Sequence, residues 1–515
     1  MRQRNPSNPN ARRIASNSFW YGLELALGVV AVFATTIPMA RIIGPERLGY
    51  YAYIAWLTTV SAAVGNLGIA AAARKYMAES LGRGDGATAR AIYRRSFWLQ
   101  SLCVAVIAIA SFGLMWGFSR PDYWHISFWL VLSMVPSMTS AVASQANAAG
   151  ERMRVNAISS LLGGLINIVS VGLSLYFGWD LHGIAIGVFL YRSFDCLFRV
   201  ISVHRWLGQY PVIPLEPSWN SRLSNFSAHS MVTVLLNIVV WDRSEIFFLR
   251  HFASSAAQIS FYSIVFNMTD KLQLLPNALG TGIGLRLQAQ YGSDPKSLPL
   301  TAATSLRYVF CSAVPFLLGF AALSPSLIPA LYGPLYLPSI PVLGVAACFA
   351  TVRCFMLPGW NLLQATENHA FLSRWMGLCA ILNVVLDVLL ISRYEAVGGA
   401  VANGLVQVVS IAGIWVFAIR RLGVKPTIGA LTRILIAGCV MGASVLAIQQ
   451  LLAGWFGIAA GVFVGVLVYF TMIRLLHVFD SEDRQRILQV GSRFPAASSI
   501  WWNRFVHFLI PIQAA

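Results

Sequence analysis

Uncharged apolar runs of about twenty residues recur from residue 18 to residue 474. A bilayer core of ~30 Å is crossed by ~20 apolar residues in a helix. Hydrocarbon offers no hydrogen-bond partners, so each run must satisfy its own peptide groups, which a helix does. The fold class this predicts is all-α and polytopic in a membrane. Composition excludes a set of water-soluble domains. Only 11% of the 515 residues are charged, against ~25% in a soluble protein. No polar stretch is long enough for a soluble catalytic domain. The longest are the N-terminus, 74–95, 200–225 and the tail after Arg474.

Fourteen spans are expected: 18–40, 50–73, 96–118, 125–146, 155–176, 181–200, 226–250, 259–284, 303–329, 339–364, 375–392, 398–419, 432–452 and 455–474. They group as an N-lobe (18–200), a cytoplasmic linker (201–225), a C-lobe (226–419) and an extra helix pair (432–474). Residues 1–17 and 475–515 flank them. An even number of spans puts both termini on one side. With that side cytoplasmic, 28 of the 37 Lys and Arg residues fall on inside segments and helix ends, and only five fall outside. This positive-inside asymmetry accounts for most of the +18 net charge, so the charge implies no nucleic-acid partner. It implies attraction to anionic membrane lipids. The run after the polar N-terminus lacks a small-residue cleavage pattern and reads as an uncleaved first helix.

Seven cysteines lie in apolar stretches without C-x-x-C or zinc spacing and are expected to be buried thiols. No cofactor, metal or catalytic constellation is predicted. Gly280-Thr-Gly-Ile-Gly284 follows a membrane span and lacks the strand and lysine of a phosphate loop.

An internal repeat is present. Gln145-Ala-Asn-Ala-Ala-Gly-Glu-Arg, Asn167 and Leu181-His-Gly-Ile-Ala-Ile-Gly187 are echoed by Gln364-Ala-Thr-Glu-Asn-His, Asn383 and Val397-Gly-Gly-Ala-Val-Ala-Asn403. The offset is about six spans, so the two lobes share an orientation. That arrangement is typical of alternating-access transporters.

The same residues carry a family resemblance. Asn17-Ser-Phe-Trp, Ala40-Arg-Ile-Ile-Gly-Pro-Glu-Arg-Leu-Gly-Tyr-Tyr-Ala-Tyr, Leu67-Gly-Ile-Ala-Ala-Ala-Ala-Arg-Lys-Tyr, Leu331-Tyr-Gly-Pro-Leu-Tyr-Leu-Pro-Ser and Val397-Gly-Gly-Ala-Val-Ala-Asn together resemble polysaccharide-biosynthesis flippases of the multidrug/oligosaccharidyl-lipid/polysaccharide exporter superfamily. The resemblance covers roughly residues 15–475 and is greatest to Wzx-type flippases. It implies a non-enzymatic carrier in the bacterial inner membrane. The implied substrate is a polyprenyl-pyrophosphate-linked oligosaccharide, destined for exopolysaccharide, capsule or O-antigen. Glycosyltransferases and a polymerase are the implied pathway partners, and H⁺ or Na⁺ the implied coupling ion. The lipid II branch typically carries an arginine in its first helix. Here that helix holds Glu24 and no basic residue before Arg41, which lowers the lipid II reading. Two further readings stand beside the flippase: a cation-coupled drug antiporter of the same superfamily, and a non-transporting membrane scaffold of polysaccharide assembly.

Charges inside spans need a reason, because each costs ~2.5–3.5 kcal/mol to insert. Arg243, Lys271 and Arg353 are candidates for holding the pyrophosphate, with Arg74 and Lys75 at its cytoplasmic entry. Glu24, Asp242, Glu245 and Asp270 are candidates for ion coupling. Asp242 and Asp270 lie at depths of ~18 and ~24 Å on either side of one outer loop, at ~1.5 Å per residue, which brings them within reach of one another. A cavity-lining cluster and an interhelical salt-bridge network both fit. Arg192 and Asp195, at i,i+3, are expected to pair, as are Asp387 and Arg353. Several prolines fall in spans and are expected to kink them. Ile500–Ile510 is too short to span and is expected to lie in the interface.

Overall fold

The computed structural model describes residues 9–118, 121–241, 243–452, 454–480, 483–485, 488–489 and 496–510, and among these there is no strand. Two compact units emerge. The first comprises residues up to Arg250 together with Ser255–Ser260, and the second comprises His251–Ser254 and the chain from Phe261.

In the first unit lie α1 (Pro9–Ile43), α2 (Pro45–Gly65), α3 (Ile69–Gly82), α4 (Gly86–Phe118), α5 (Trp124–Ala149), α6 (Met153–Tyr176), α7 (Asp180–Leu207) and α8 (Pro217–Val240). Helix α5 packs on α7, α4, α3 and α2, while α6 packs on α7 and α1 and α8 rests on α3. The short α9 (Glu245–Phe252) and α10 (Ala257–Leu272) pass from one unit to the other. The second unit holds α11 (Leu274–Ser293), α12 (Leu298–Tyr332), α13 (Ser339–Arg353), α14 (Met356–Ala365), α15 (His369–Leu422), α16 (Ile428–Leu451), α17 (Gly454–Leu475) and α18 (Ala496–Leu509). There α12 packs against α11, α13, α16 and α17, and α15 against α13 and α14.

Polarity is distributed as in a lipid-solvated protein. Ile109, Ile381 and Phe463 are 73%, 66% and 71% exposed, whereas Ser133, Asn147 and Asn383 are wholly buried. A water-soluble domain shows the reverse. The thiols depart from expectation in the same sense. Cys354 and Cys379 are buried, but Cys348 and Cys439 are exposed. A thiol behaves as a small apolar group, so a lipid-facing position suits it.

Among the described residues, ten helices are long and apolar enough to cross a membrane, or eleven if the bent pair α2 and α3 is one span. The remaining expected spans fall on interrupted or charged helices. Glu395 has non-helical dihedrals and divides α15 between expected spans eleven and twelve. Span seven, expected at 226–250, stops at Val240, and α9 resumes at Glu245. Span eight is broken at Gln273, three residues before Pro276. The expected polar stretch 200–225 is largely helical. Only residues 208–216 separate α7 from α8, because Pro217 opens a helix with an ideal first-position residue.

The break between α2 and α3 bends the chain by 48°. Gly68 at the break has φ +70°, and a Cβ there would lie 2.4 Å from the Ser227 carbonyl oxygen on α8. Gly68→Ala should therefore destabilise the first unit by about 2 kcal/mol, from left-handed backbone strain and the displaced α8. A lowered apparent Tm of purified protein is the measurement, and an unchanged Tm refutes this origin of the bend.

The two repeat segments share a backbone device. Glu151 and Glu367, 216 residues apart, end α5 and α14 with left-handed φ of 53° and 60°. Asp180 and Glu395 repeat the pattern at the next junction, with φ of 54° and 50°.

Beyond α17 the chain folds back onto α12. Asp483 is fully buried and takes the Arg307 guanidinium at 2.5 Å and the Tyr308 hydroxyl at 2.5 Å. Its second oxygen accepts the Asp480 amide at 3.1 Å, and Asp480 accepts the Asp483 amide at 2.9 Å. Helix α18 then packs on α17, with Arg474 4.8 Å from the Phe508 ring centre. The segment expected in the interface thus buries Val506 and Ile510. Together with α12, α16 and α17 it encloses an apolar cavity of about 590 Å³.

Candidate functional site

In the first unit a polar network joins four helices. Arg199 on α7 is bonded to Asp195 one turn earlier at 2.8 Å, to Ser144 on α5 at 2.7 Å and to Ser160 on α6 at 2.9 Å. Ser160 donates to Glu24 on α1 at 2.7 Å, and Ser159 donates to Asp195 at 2.7 Å. Arg199 itself lies 3.9 Å from Glu24. The side chains of Arg199, Asp195 and Glu24 are only 11%, 18% and 22% exposed. Two carboxylates thus share one guanidinium in an apolar bundle. With both carboxylates and the guanidinium ionised, the set carries one surplus negative charge. Glu24 is where the sequence directed attention. Arg199 is not, since its place near the end of the apolar run makes it look like a topological anchor. The Asp195–Arg199 spacing, i,i+4, is the signal that identifies it.

The expected Arg192–Asp195 pair does not form. Arg192 donates instead to the Tyr191 hydroxyl and to Ser133 Oγ, both at 3.2 Å. A spacing of three and a spacing of four both put two residues on one face, and here Asp195 is taken by the cation one turn further on.

Arg74 and Lys75, expected at the end of span two, do not end the helix. They lie within α3, which continues to Gly82, and both are exposed. Lys75 Nζ sits 4.3 Å from the Phe226 ring centre on α8, a cation–π contact. The helix persists through its polar end with the help of the Glu79–Arg83 pair at 2.7 Å, and Arg222 on α8 reaches the same Glu79 at 3.0 Å.

In the second unit, charges sit at helix breaks. Asp270 and Lys271 lie in the last turn of α10, and Arg353 ends α13. Arg353 Nη1 bonds Asp270 at 3.1 Å. Around them lie buried polar side chains that the sequence did not single out: Thr269, Gln273, Thr351, Asn403 and Gln407. Gln407 donates to Asn403 at 2.5 Å, and four of the five (all but Thr351) line a small cavity with Arg353. Uncharged amides in apolar helices carry little pattern, which is why sequence reading passes over them. Asp387, expected to pair with Arg353, is wholly buried and accepts from Asn383 at 2.8 Å.

The expected cluster on spans seven and eight divides between the units. Glu245 is fully buried at the start of α9, next to Arg243, and both belong to the first unit. Asp270 and Lys271 belong to the second. Asp242 lies outside the described residues.

A bundle of long apolar helices, several of them broken, with ion pairs among them defines a class, the multi-pass membrane proteins. The chain belongs to the polysaccharide biosynthesis protein family, whose profile matches residues 38–341. No curated protein matches the sequence. Solved structures share the fold. A lipid II flippase MurJ in an inward closed conformation superposes with TM-score 0.71 at 14% identity, over 90% of this chain and 99% of that one. An inward-facing multidrug resistance MATE family transporter of the MOP superfamily gives 0.62 at 14% identity, over 77% and 95%. A MOP superfamily transporter from Pyrococcus furiosus gives 0.57 at 15% identity, over 81% and 96%. The fold is shared with these solved transporters and flippases.

Proposed function

We propose that this protein flips a polyprenyl-pyrophosphate-linked oligosaccharide across the bacterial inner membrane, for exopolysaccharide, capsule or O-antigen assembly. It works by alternating access coupled to H⁺ or Na⁺, with both termini in the cytoplasm. The observation that carries this reading is the Asp270–Arg353 pair at 3.1 Å, set at two helix breaks in a member of a polysaccharide biosynthesis family. A guanidinium binds phosphate oxygens bidentately. In this reading the incoming pyrophosphate takes Arg353 from Asp270, and Lys271 adds a point charge beside it. Asp270, left without its cation, then binds a proton or small cation, which couples the driving ion to the substrate. In the first unit, the surplus negative charge shared by Glu24, Asp195 and Arg199 provides a second place for such an ion. Arg243 and Glu245 at the start of α9 are held as further candidates, as are Arg74 and Lys75 for initial capture. The lipid chain remains in the bilayer throughout.

In a strain lacking the gene, surface polysaccharide should be lost while lipid-linked repeat units accumulate on the inner leaflet. Arg353→Ala and Lys271→Ala should each fail to restore polysaccharide at normal protein level, with a loss of transport of about 100-fold for Arg353→Ala. Arg243→Ala should behave as Lys271→Ala does. Normal polysaccharide in the deletion strain removes the proposal. A peptidoglycan defect instead would favour a lipid II flippase, and altered drug sensitivity alone would favour an antiporter.

A further inference from the structure

The apolar cavity of about 590 Å³ beside α18 takes no part in the Arg353 or Arg199 networks. Gly319 and Phe320 of α12, Val462 and Val466 of α17, and Trp502 and Leu509 of α18 are among the residues that line it. The hydroxyls on its walls are already committed to the protein. Tyr469 donates to the Cys311 carbonyl at 2.8 Å, Tyr308 to Asp483 at 2.5 Å and Ser312 to the Val309 carbonyl at 2.7 Å. A buried water needs about two to four polar partners, so water is a poor filler here. Apolar cavities of only ~150 Å³ stay dry and take up apolar molecules such as benzene.

Three observations say which apolar molecule fits. Val462 and Val466 are half exposed on the lipid-facing side of α17, so the cavity meets the hydrocarbon of the bilayer. A methylene group occupies about the room of a water molecule, ~30 Å³, so the volume matches about twenty carbons. That is one acyl chain of a phospholipid and leaves no room for a second. Gly319 sits in the middle of α12, where glycine costs helix stability relative to alanine. Helix packing does not demand it, because a Cβ there would meet only Met441 Cε, at an ordinary 3.5 Å. What the missing side chain provides is space in the cavity.

We infer that this cavity holds one acyl chain of a membrane phospholipid, and that the C-terminal tail is the lid that retains it. The chain passes from one hydrocarbon surrounding to another, so it gains no hydrophobic free energy. It gains close contact with walls that a void would leave without neighbours. Retention then depends on the lid. Asp483, held by Arg307 and Tyr308, fixes the start of the lid to α12. Helix α18 buries Val506 on its inner side and exposes Ile500 and Trp501, so it is apolar on both sides and stays in the bilayer when the Asp483 latch opens. The site lies wholly in the second unit and does not depend on what is transported.

The test is photolabelling. Purified protein is placed in phosphatidylcholine vesicles that contain a phosphatidylcholine with a diazirine near the end of one chain. After irradiation the labelled residues are mapped by mass spectrometry. The wild type should be labelled at Phe320, Trp502 and Leu509, as well as at the lipid-exposed Ile381 of α15. Gly319→Leu fills the cavity and leaves the latch intact. It should lower labelling at the three cavity residues about tenfold relative to Ile381, and should preserve or raise the Tm. Asp483→Ala should be labelled at the same residues, but an excess of unlabelled phosphatidylcholine added before irradiation should chase the label about tenfold faster than in the wild type. A wild type labelled at Ile381 and not in the cavity overturns the inference, as does an unchanged labelling ratio in Gly319→Leu. Equal chase rates in Asp483→Ala and the wild type overturn the role of the lid. Displacement of the label by an equal concentration of a polyprenyl phosphate would assign the cavity to a longer chain and overturn the inference as well. Transport is not read in this experiment, so failure of the proposed function leaves its outcome unaffected.

Discussion

Arg199→Ala should unfold or inactivate the first unit at a lower temperature than any other single change in its interior. The substitution leaves Glu24 and Asp195 without their cation in a bundle where their side chains are 22% and 18% exposed. Removing one partner of a buried ion pair costs about 3–5 kcal/mol, because the remaining charge stays desolvated. Some solvent access at Glu24 puts the expected figure at the lower end, about 3 kcal/mol. The apparent Tm of detergent-purified protein should drop by several degrees, and transport should be lost with it. Glu24→Gln separates the two effects. It keeps the hydrogen bond from Ser160 and removes one surplus negative charge, so the protein should stay folded while ion-coupled transport fails. Adding Asp195→Leu to Arg199→Leu should recover part of the stability, since it removes one of the two carboxylates left without a cation while Glu24 stays charged. An Arg199→Ala protein with wild-type Tm would show that the network contributes nothing to stability.

The second large effect is expected at Asp483. This carboxylate has no exposed surface and collects Arg307, Tyr308 and the Asp480 amide. Asp483→Ala should release the tail from α12 at a cost of about 3 kcal/mol, which raises the detached population roughly 100-fold. Limited proteolysis reads this directly. Cleavage between Leu475 and Ala496 should become rapid in the variant while α1–α17 stay intact. Arg307→Ala should do the same and should also lower the Tm, because Arg307 belongs to the packed body of the second unit. Wild-type resistance to protease in both variants would show that α18 is held by apolar packing alone.

The fold was legible because its cause is coarse. Twenty apolar residues in a row leave the backbone little choice, and that holds whether the run is Phe19–Ile43 or Gly454–Leu475. Breaks were less visible. Beyond Val240, where α8 ends, Ser244 donates to the Val239 carbonyl at 3.1 Å, and hydropathy averages over such detail. Prolines gave partial warning: Pro276 follows the break at Gln273, whereas Pro38 and Pro136 sit inside continuous helices. For the candidate sites, the sequence identified which charges are improbable in a membrane, and Glu24, Asp270 and Arg353 do lie in networks. It did not identify their partners. Asp270–Arg353 joins residues 83 positions apart and Ser160–Glu24 joins residues 136 apart. Such distances are set by helix packing, which periodicity within one helix does not encode.

The bond between Arg307 and Asp483 also orders events in time. It spans 176 residues, so Arg307 leaves the ribosome long before its anion exists. During that interval a guanidinium that ends up 90% buried has water as its partner, and the start of α12 must stay at the aqueous boundary until α16, α17 and the tail have been made. Arg307 is therefore a solvated cation first and a paired one afterwards. Burial of that one side chain marks the molecules in which assembly of the second unit has finished.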